Sequence, residues 1–309
     1  MINLLHLKYS AEIAKAGSLN KAAKNLYMGQ PNLSRAIKEL ESSIGITIFS
    51  RSPRGMLPTR EGEEFLRYAN SILAQVDEIE AIYRKGAPVK KKFSISVPRA
   101  SYISEAFVRF SKSVDSQQPS ELVYKETNSE RAIINILDAD YKLGIIRYAK
   151  NYDEQFRDAL DSKGLHHELI TEFHYVLCMS RQHPLASLPE IRFTDLEPFT
   201  EIAHADPYVP SIPLSVVRKE ERPQTIANHI YVYERSIQFE LLSENKDTFM
   251  WVSAVPENVL ERYGLVQRVC PENQRVYRDV LIYRKDYTLS ELDTMFINEL
   301  NHSIHKNLD

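Results

Sequence analysis

The stretch SLNKAAKNLYMGQPNLSRAIKELESSIG, residues 18–45, contains two short helical patterns that are separated by only a few residues. Ser18 precedes the first pattern as a helix cap would, and the small Ala22 and Ala23 allow a second helix to cross closely. In the second pattern apolar residues recur every three or four positions, at Leu33, Ile37, Leu40 and Ile44. This spacing predicts a helix-turn-helix whose second helix buries one face and exposes a polar one.

The polar residues of the second helix are of the kinds that contact DNA. They are Gln30, Asn32, Ser34, Arg35 and Lys38. Ser18 and Pro31 are also predicted to contact DNA, and Pro31 is tolerated because the first turn leaves its missing N–H without a partner to lose. The first residues of a helix in the major groove reach base edges, where arginine favours guanine and asparagine or glutamine favours adenine. An ordinary α-hairpin with a polar outer face is the alternative interpretation.

A Pro/Gly-rich segment, IFSRSPRGMLPTREG (residues 48–62), follows the helix pair. It carries Arg51, Arg54 and Arg60 around a Pro-Arg-Gly turn. The pattern predicts a short β-wing whose arginines contact phosphates or enter the minor groove. A solvated basic loop is the alternative.

The charge of the chain is distributed unevenly. Residues 1–60 contain nine Lys and Arg against three acidic residues, which gives +6, whereas the whole chain of 309 residues carries −3. The remaining 249 residues therefore carry −9. The head, residues 1–60, is therefore basic, and the body, residues 61–309, is acidic. This asymmetry indicates that only the head binds a polyanion.

The next segment, 59–86, predicts one long helix, with Thr59 as its cap and acidic residues in the first turn. Apolar residues recur along it with spacings of four and three, at Phe65, Ala69, Ile72, Val76, Ile79 and Tyr83. This seam is typical of a coiled coil and favours pairing with a second copy of the chain. Packing of the stripe on the chain's own body is the alternative.

From Phe93 onwards, short β runs alternate with helical patterns, as in a doubly wound α/β domain. The predicted strands are 93–97, 121–126, 143–147, 174–180, 199–203, 248–255 and 277–284. The predicted helices are 101–114, 129–139, 211–220, 234–244, 256–262 and 288–305.

Residues 4–73 resemble the winged helix-turn-helix of LysR-type transcriptional regulators. The agreement covers Ala22, Ala23, Leu26, Gln30, Pro31, Leu33, Ser34, Leu40, Glu41, Gly45, Leu57, Thr59 and Gly62. Two positions depart from the family pattern, since Gly29 stands where a capping Ser is usual and Asn32 replaces a small Ala. A glycine cap costs only a few tenths of a kcal/mol relative to Ser, so we expect the helix to fold. Asn32 adds a group that can read a base, so we expect altered operator preference rather than lost DNA binding.

The body resembles the family's effector domain at the level of the fold. The local sequence matches are LGII (143–146), RQHPLA (181–186) and SAVPENVL (253–260). One position departs from the family pattern, since Lys142 stands where the family usually has Asp. The resemblance implies two domains that are joined by a long linker helix. The first is an α-helical winged helix-turn-helix, and the second is a two-lobed α/β effector domain like that of periplasmic binding proteins. The implied boundaries are 1–58 for the DNA-binding domain, 59–86 for the dimerisation helix, 87–92 for a hinge linker and 93–309 for the effector domain, with lobe one at 93–168 and 269–309 and lobe two at 169–268.

The resemblance implies a regulator that binds operator DNA as a dimer or tetramer and responds to a small molecule between its lobes, with RNA polymerase as a further candidate partner. Ligands in open α/β sheets bind beyond the carboxyl ends of strands. The side chains at the predicted strand ends are Ser101, Tyr102, Asn128, Ser129, Arg147, His204, Asp206 and Tyr208. Arg147 with His204 suggests an effector that bears a carboxylate, although each residue of the set also has a structural interpretation as a cap or an internal partner.

Other classes of protein receive less support from the sequence. Catalytic motifs such as G-x-S-x-G, a Walker loop or H-E-x-x-H are absent, so we expect no enzyme, cofactor or metal site. Free cysteines are usually buried, so we expect Cys178 and Cys270 to be two buried thiols. The sequence has no apolar run long enough to span a membrane, so we expect a cytoplasmic protein with no membrane partner. Two alternatives stay open: a solute-binding or interaction module whose head docks a protein, and a regulator without a small-molecule effector.

Overall fold

The structure is a computed structural model that describes residues 3–52, 55–85, 90–220 and 226–308, with the description of Arg51, Ser52, Glu78 and 81–85 confined to the backbone. The chain divides into two compact units, 1–89 and 90–309. Unit one contains α1 (Leu4–Ala16), α2 (Leu19–Asn25), α3 (Gln30–Ile44), the antiparallel strands β1 (Phe49–Ser52) and β2 (Gly55–Pro58), and α4 (Arg60–Lys85).

The core of unit one is formed by the apolar face that the sequence predicted. Ile13 of α1, Ala22 and Ala23 of α2, and Leu33, Ile37 and Leu40 of α3 are buried together with Ile48 and Leu66. The two alanines of α2 belong to this cluster, in agreement with a close helix crossing.

Two polar side chains join the hairpin to the helices. A carboxylate oxygen of Glu41 accepts hydrogen bonds from the backbone N–H groups of Ile48 (2.7 Å) and Phe49 (3.1 Å), which places the start of the hairpin beside α3. The Thr59 hydroxyl accepts from the N–H of Gly62 at 2.9 Å, as expected of a cap on α4. A Cβ on Gly62 would lie 2.0 Å from the Ile48 carbonyl oxygen, so only glycine fits this approach of helix to strand.

The first sheet of unit two has the strand order β4-β3-β5-β12-β6. Its strands are β3 (Lys91–Val97), β4 (Ser120–Glu126), β5 (Leu143–Ala149), β6 (Leu165–His174) and β12 (Val276–Arg284). Helices α5 (Ser101–Ser113), α6 (Ser129–Asp138), α7 (Asp153–Ser162) and α12 (Glu291–Asn307) belong to the same lobe. Buried clusters around Phe93, Phe110 and Phe296 and around Ile133, Phe156 and Val280 hold these layers together.

The second sheet has the strand order β11-β7-β10-β8-β9. Its strands are β7 (Val176–Ser180), β8 (Thr200–His204), β9 (Asn228–Val232), β10 (Thr248–Val252) and β11 (Leu265–Arg268). The helices of this lobe are α8 (Phe193–Leu196), α9 (Leu214–Glu220), α10 (Arg235–Glu244) and α11 (Glu257–Tyr263). The chain passes between the sheets near Tyr175 and again over 269–275.

Several elements of unit two differ from the sequence-based expectation. Helix α7 and strands β6, β9 and β11 were not predicted, and the run 174–180 is divided at Tyr175 between two sheets. The predicted lobe boundary after residue 168 falls inside β6, because that strand pairs with β12 along its whole length. Edge strands such as β6 and β9 consist mostly of exposed and half-buried residues and therefore carry no long apolar run.

None of the helices in the described part of the chain combines the length and the apolar character that crossing a membrane requires.

Candidate functional site

Helix α3 packs its apolar face against the core of unit one and presents its polar face to solvent. Asn32, Arg35 and Lys38 are exposed, Pro31 is exposed at the first turn, and Gln30 and Ser34 are half-buried. Among the described residues, neither Arg35 nor Lys38 has an acidic partner within the distance of an ion pair. The cationic groups of α3 therefore remain available to an external anion, which is the arrangement that recognition helices use in DNA.

The surroundings of α3 contain the other predicted DNA contacts. Ser18 caps α2, its hydroxyl accepting from the N–H of Lys21 at 3.5 Å, so one of its roles is structural. Arg60 is exposed at the first position of α4. The β1–β2 hairpin forms the predicted wing, but Arg54 and the side chain of Arg51 lie outside the described residues.

The seam of α4 is divided between two environments. Ala69 is buried and Phe65 packs at the margin of the unit-one core. Farther along, Ile72 is 42% exposed and Ile79 is 56% exposed, with Val76 half-buried between them. The first part of the stripe thus packs within unit one, whereas its later part presents large apolar side chains to solvent. The Tyr83 side chain lies outside the described residues.

A cavity of about 480 Å³ lies between the two lobes of unit two. Six of the predicted effector residues line it, namely Asn128, Ser129, Arg147, His204, Asp206 and Tyr208. Aromatic side chains form much of the remaining wall, including Tyr148, Tyr175, Tyr277 and Trp251. Convergence of strand ends on this crevice agrees with the rule from which the residues were predicted.

Ser101 and Tyr102 do not line this cavity, contrary to the prediction. Tyr102 is fully buried and its hydroxyl donates to Asp279, because the first turn of α5 points this ring into the core. Burial and the Asp279 carboxylate hold the pKa of Tyr102 well above its usual value. Ser101 is buried beside Arg235 and lines a separate pocket.

Arg147 lines the cavity, but its charge is already compensated. Its Nε and Nη2 donate to the two carboxylate oxygens of Asp279 at 2.8 and 2.6 Å, and Nη1 donates to the Ser253 hydroxyl at 3.2 Å. The guanidinium also stacks over Phe173 at 4.7 Å. Burial disfavours its charge, yet Asp279 outweighs that effect and holds the pKa of Arg147 above its usual value. Arg147 therefore lies in the cavity wall, as predicted, but its charge is compensated by Asp279.

His204 and Ser129 also differ in detail from the expectation. Burial, together with the charge of Arg99, lowers the pKa of His204 to about 4, so the ring is neutral at pH 7 and offers no cation. The Ser129 hydroxyl donates to the Arg147 carbonyl at 2.8 Å and accepts from its N–H at 3.1 Å. Ser129 therefore serves chiefly to tie α6 to β5.

Asp206 and Asn128 connect the lobes across the crevice. Arg99 of lobe one makes a bidentate ion pair with Asp206 of lobe two, at 2.8 and 3.1 Å. The Asn128 amide donates to the Asp206 carbonyl at 3.0 Å, while its oxygen caps α6. A third connection joins Arg235 to Glu126 at 2.8 Å. These contacts hold the two lobes together in the observed state.

Sequence reasoning missed the cavity residues with the clearest unsatisfied donors. Arg218 of α9 and Arg275 line the cavity, and in the described part of the chain neither has an acidic partner within ion-pair distance. The Arg218 Nε and the Trp251 Nε1 are buried without a hydrogen-bond partner among the described residues. Arg99 lies two residues after β3, so the rule that ligands bind beyond the carboxyl ends of strands could have predicted it. Arg218 lies on a helix and Arg275 on a loop that crosses between the lobes, and the rule makes no prediction for such positions.

Both cysteines are buried and unpaired, as predicted. Burial raises the pKa of the Cys178 thiol to about 12 and also raises that of Cys270. A search of the described residues finds no group of three or more His, Cys, Asp or Glu side chains able to hold a metal ion.

Comparison with known proteins gives a family match for the N-terminal helices and a relative that is similar over most of the chain. Residues 4–63 match the family model of the bacterial regulatory helix-turn-helix protein, lysR family. The HTH-type transcriptional regulator AlsR of Bacillus subtilis is 26% identical over 290 residues, which cover 92% of this chain and 91% of AlsR.

Solved structures share the fold over the full length of the chain. Full-length CbnR in complex with its target DNA gives a TM-score of 0.58 at 16% identity and covers 98% of this chain and 100% of that chain. LysG of Corynebacterium glutamicum with its bound effector Arg gives 0.58 at 13% identity, with 99% of both chains covered. The helix-turn-helix of this chain is thus that of the lysR family of bacterial regulators, and the chain as a whole has the fold of full-length LysR-type transcriptional regulators.

Proposed function

We propose that the chain recognises operator DNA through the N-terminal half of α3 and responds to a small molecule in the interlobe cavity. The observation that carries the DNA part is the cationic and amide face of α3, whose Arg35 and Lys38 have no acidic partner among the described residues. In this arrangement Gln30, Asn32 and Arg35 read base edges, and Ser18, Pro31 and Ser34 fit against the groove. Lys38, Arg51, Arg54 and Arg60 contact phosphates.

The regulator acts as a homodimer whose subunits pair along α4. The exposed Ile72 and Ile79 support this proposal, since two large apolar side chains on one helical stripe favour a partner surface. Pairing two heads on one frame turns the second half-site contact into an intramolecular event and so strengthens binding. Assembly to a tetramer and contact with RNA polymerase extend the same proposal.

The effector carries an anionic group, such as a carboxylate, that pairs with Arg218 or Arg275 and lies against the tyrosine-rich wall. These arginines support the proposal because they bring charge into the cavity without an internal counter-ion among the described residues. Arg147 and His204 shape the wall without supplying a free charge. The contacts across the crevice join the two lobes. A ligand bound there therefore changes the free energy of the closed arrangement of the lobes relative to the open one. We propose that the crevice binds the effector and carries out no reaction on it.

Fluorescence anisotropy on labelled duplexes tests the DNA part. The specific probe is a duplex that the full-length chain selects from a random library, and the reference is a random duplex of equal length. We expect Arg35→Ala to weaken specific binding about 10- to 100-fold, by loss of a base contact, and random DNA much less. Lys38→Ala should weaken both alike, and Lys112→Ala, an exposed lysine of unit two, should change neither.

Equal losses on both duplexes from Arg35→Ala would remove it from base reading. Failure of the wild-type chain to bind any duplex, at low salt as well, would instead favour a module whose head docks a protein.

A thermal-shift screen of the full-length chain tests the effector part, with small carboxylic acids compared against the corresponding amides. We expect some acids, but not their amides, to raise the unfolding temperature through preferential binding to the folded state. Arg218→Met should abolish those shifts if Arg218 pairs with the acid, and Arg275→Met should do so if Arg275 does. Equal responses to acids and amides would exclude anion recognition, and no response at all would favour a regulator without an effector.

A further inference from the structure

The turn between α2 and α3 is built on an unusual residue. Tyr27 adopts the left-handed backbone conformation, with φ of 52°. Its N–H donates to the Lys24 carbonyl at 3.2 Å, and the Met28 N–H donates to the Ala23 carbonyl at 3.0 Å. This pair of bonds is a Schellman motif, in which the left-handed position following the helix is normally glycine.

Other helices of the same chain follow that preference. Helices α1, α3 and α11 end at Gly17, Gly45 and Gly264, all with positive φ. Among the described residues, the other non-glycine residues with positive φ are Asp140 and Ser211, whose side chains are short and polar. Tyr27 is the aromatic member of that set, and a bulky residue is disfavoured there because its Cβ crowds the backbone.

Nothing in the described fold offsets that strain. The Tyr27 side chain is 98% exposed. Within the described ranges it makes no hydrogen bond, ion pair or ring contact, so its ring adds no packing and its hydroxyl satisfies no internal acceptor. A strained residue that contributes nothing internally is best explained by a contact outside the chain.

The position of Tyr27 indicates which contact. It lies three residues before Gln30, the first residue of α3, and three residues span at most about 10 Å. The major groove is about 12 Å wide, so a helix end at its centre lies about 6 Å from either phosphate wall. A side chain in the turn before α3 is therefore within reach of a phosphate wall. Tyrosine hydroxyls are common donors to phosphate oxygens.

We infer that the Tyr27 hydroxyl donates a hydrogen bond to a phosphate oxygen of the DNA strand that borders the groove entered by α3. The inference rests on the proposed insertion of α3 into the major groove. Since tyrosine is neutral, this contact anchors the register of α3 without releasing a counterion. It therefore differs in a measurable way from a lysine contact.

The test uses the full-length chain on its selected duplex and on random duplex, at several salt concentrations. Tyr27→Phe removes only the hydroxyl, and we expect it to weaken both duplexes about tenfold per half-site with an unchanged salt slope. Lys38→Ala, the matched charged control, should reduce the slope by about one per head. Tyr27→Gly should lose at least as much affinity as Tyr27→Phe, yet show a thermal unfolding temperature no lower than that of the wild-type chain, because the strain is relieved.

Wild-type affinity of Tyr27→Phe would overturn the inference, and so would a large loss that only Tyr27→Gly shows, since the ring rather than the hydroxyl would then be responsible. A change in subunit association with unchanged DNA affinity would assign Tyr27 to a protein contact and would overturn it equally. These outcomes require that the wild-type chain binds DNA and that Arg35→Ala weakens specific binding. They are thus separate from failure of the proposed function itself.

Discussion

Replacement of Asp279 by Asn should strongly destabilise unit two while leaving unit one intact. Asp279 is fully buried, and its carboxylate binds Arg147 at 2.8 and 2.6 Å and accepts from the Tyr102 hydroxyl. An amide cannot neutralise the guanidinium, and its NH2 group would face donors. Removal of one partner of a buried ion pair costs about 3–5 kcal/mol, and we expect a loss of that size.

The chain offers a direct assay for this loss. Its single tryptophan, Trp251, lies on β10 of unit two, so urea unfolding followed by tryptophan fluorescence reports on that unit. Asp286→Asn, at an exposed aspartate, is the control and should change the free energy of unfolding by less than about 0.5 kcal/mol. The triple variant Tyr102→Phe, Arg147→Met, Asp279→Leu replaces the whole network by apolar groups and should lose less than Asp279→Asn alone.

A loss below about 1 kcal/mol for Asp279→Asn would refute this reasoning, because such a value is typical of an ordinary hydrogen bond. It would mean that Arg147 is solvated through the crevice. Arg147 would then again be a candidate to bind the carboxylate of an effector.

Three further predictions concern other parts of the molecule. Ile72→Asp combined with Ile79→Asp should convert dimers into monomers in sedimentation velocity, whereas Asn70→Asp, an exposed position elsewhere on α4, should not; persistent dimers would show that α4 is not the pairing surface. The pKa of His204 in the fold, about 4, lies below its ordinary value of 6.5, so the unfolded chain binds more protons between these values and stability should fall as the pH drops from 6.5 towards 4. His204→Gln should reduce this dependence, leaving the part due to His183, whose pKa burial also lowers to about 4, and an unchanged dependence would contradict the assignment. Gly62→Ala should destabilise unit one by about 1–3 kcal/mol, seen as faster hydrogen exchange of α3 amides, because its Cβ would lie 2.0 Å from the Ile48 carbonyl oxygen. Gly29→Ser, whose Cβ would meet neighbours at an ordinary 3.8 Å, is the control and should leave exchange unchanged or slower.

Local pattern was sufficient for the architecture of unit one. The spacing of Leu33, Ile37 and Leu40, the cap at Ser18 and the Pro/Gly turn predict α2, α3 and the hairpin from the sequence alone. These signals are short-range, because a helix period, a cap and a tight turn each depend on residues only a few positions apart. The two mixed sheets of unit two were predicted as an α/β class, but the edge strands β6, β9 and β11 were missed.

The state of each polar side chain in the crevice depended on residues far away in sequence. Arg147 follows a predicted strand end and was correctly placed in the wall, yet its charge is neutralised by Asp279, 132 positions later. His204 carries no sequence mark of its lowered pKa, and Arg218 reaches the cavity from a helix.

The sequence by itself determined the fold class, the helix-turn-helix with the polar face of α3, and the strand ends that meet at the crevice, since each follows from the pattern of neighbouring residues. Only the tertiary structure decided which charges are spent inside the protein and which remain for a ligand. The physical reason is that burial and the distance between opposite charges control both pairing and protonation, and neither quantity exists until distant segments are packed together.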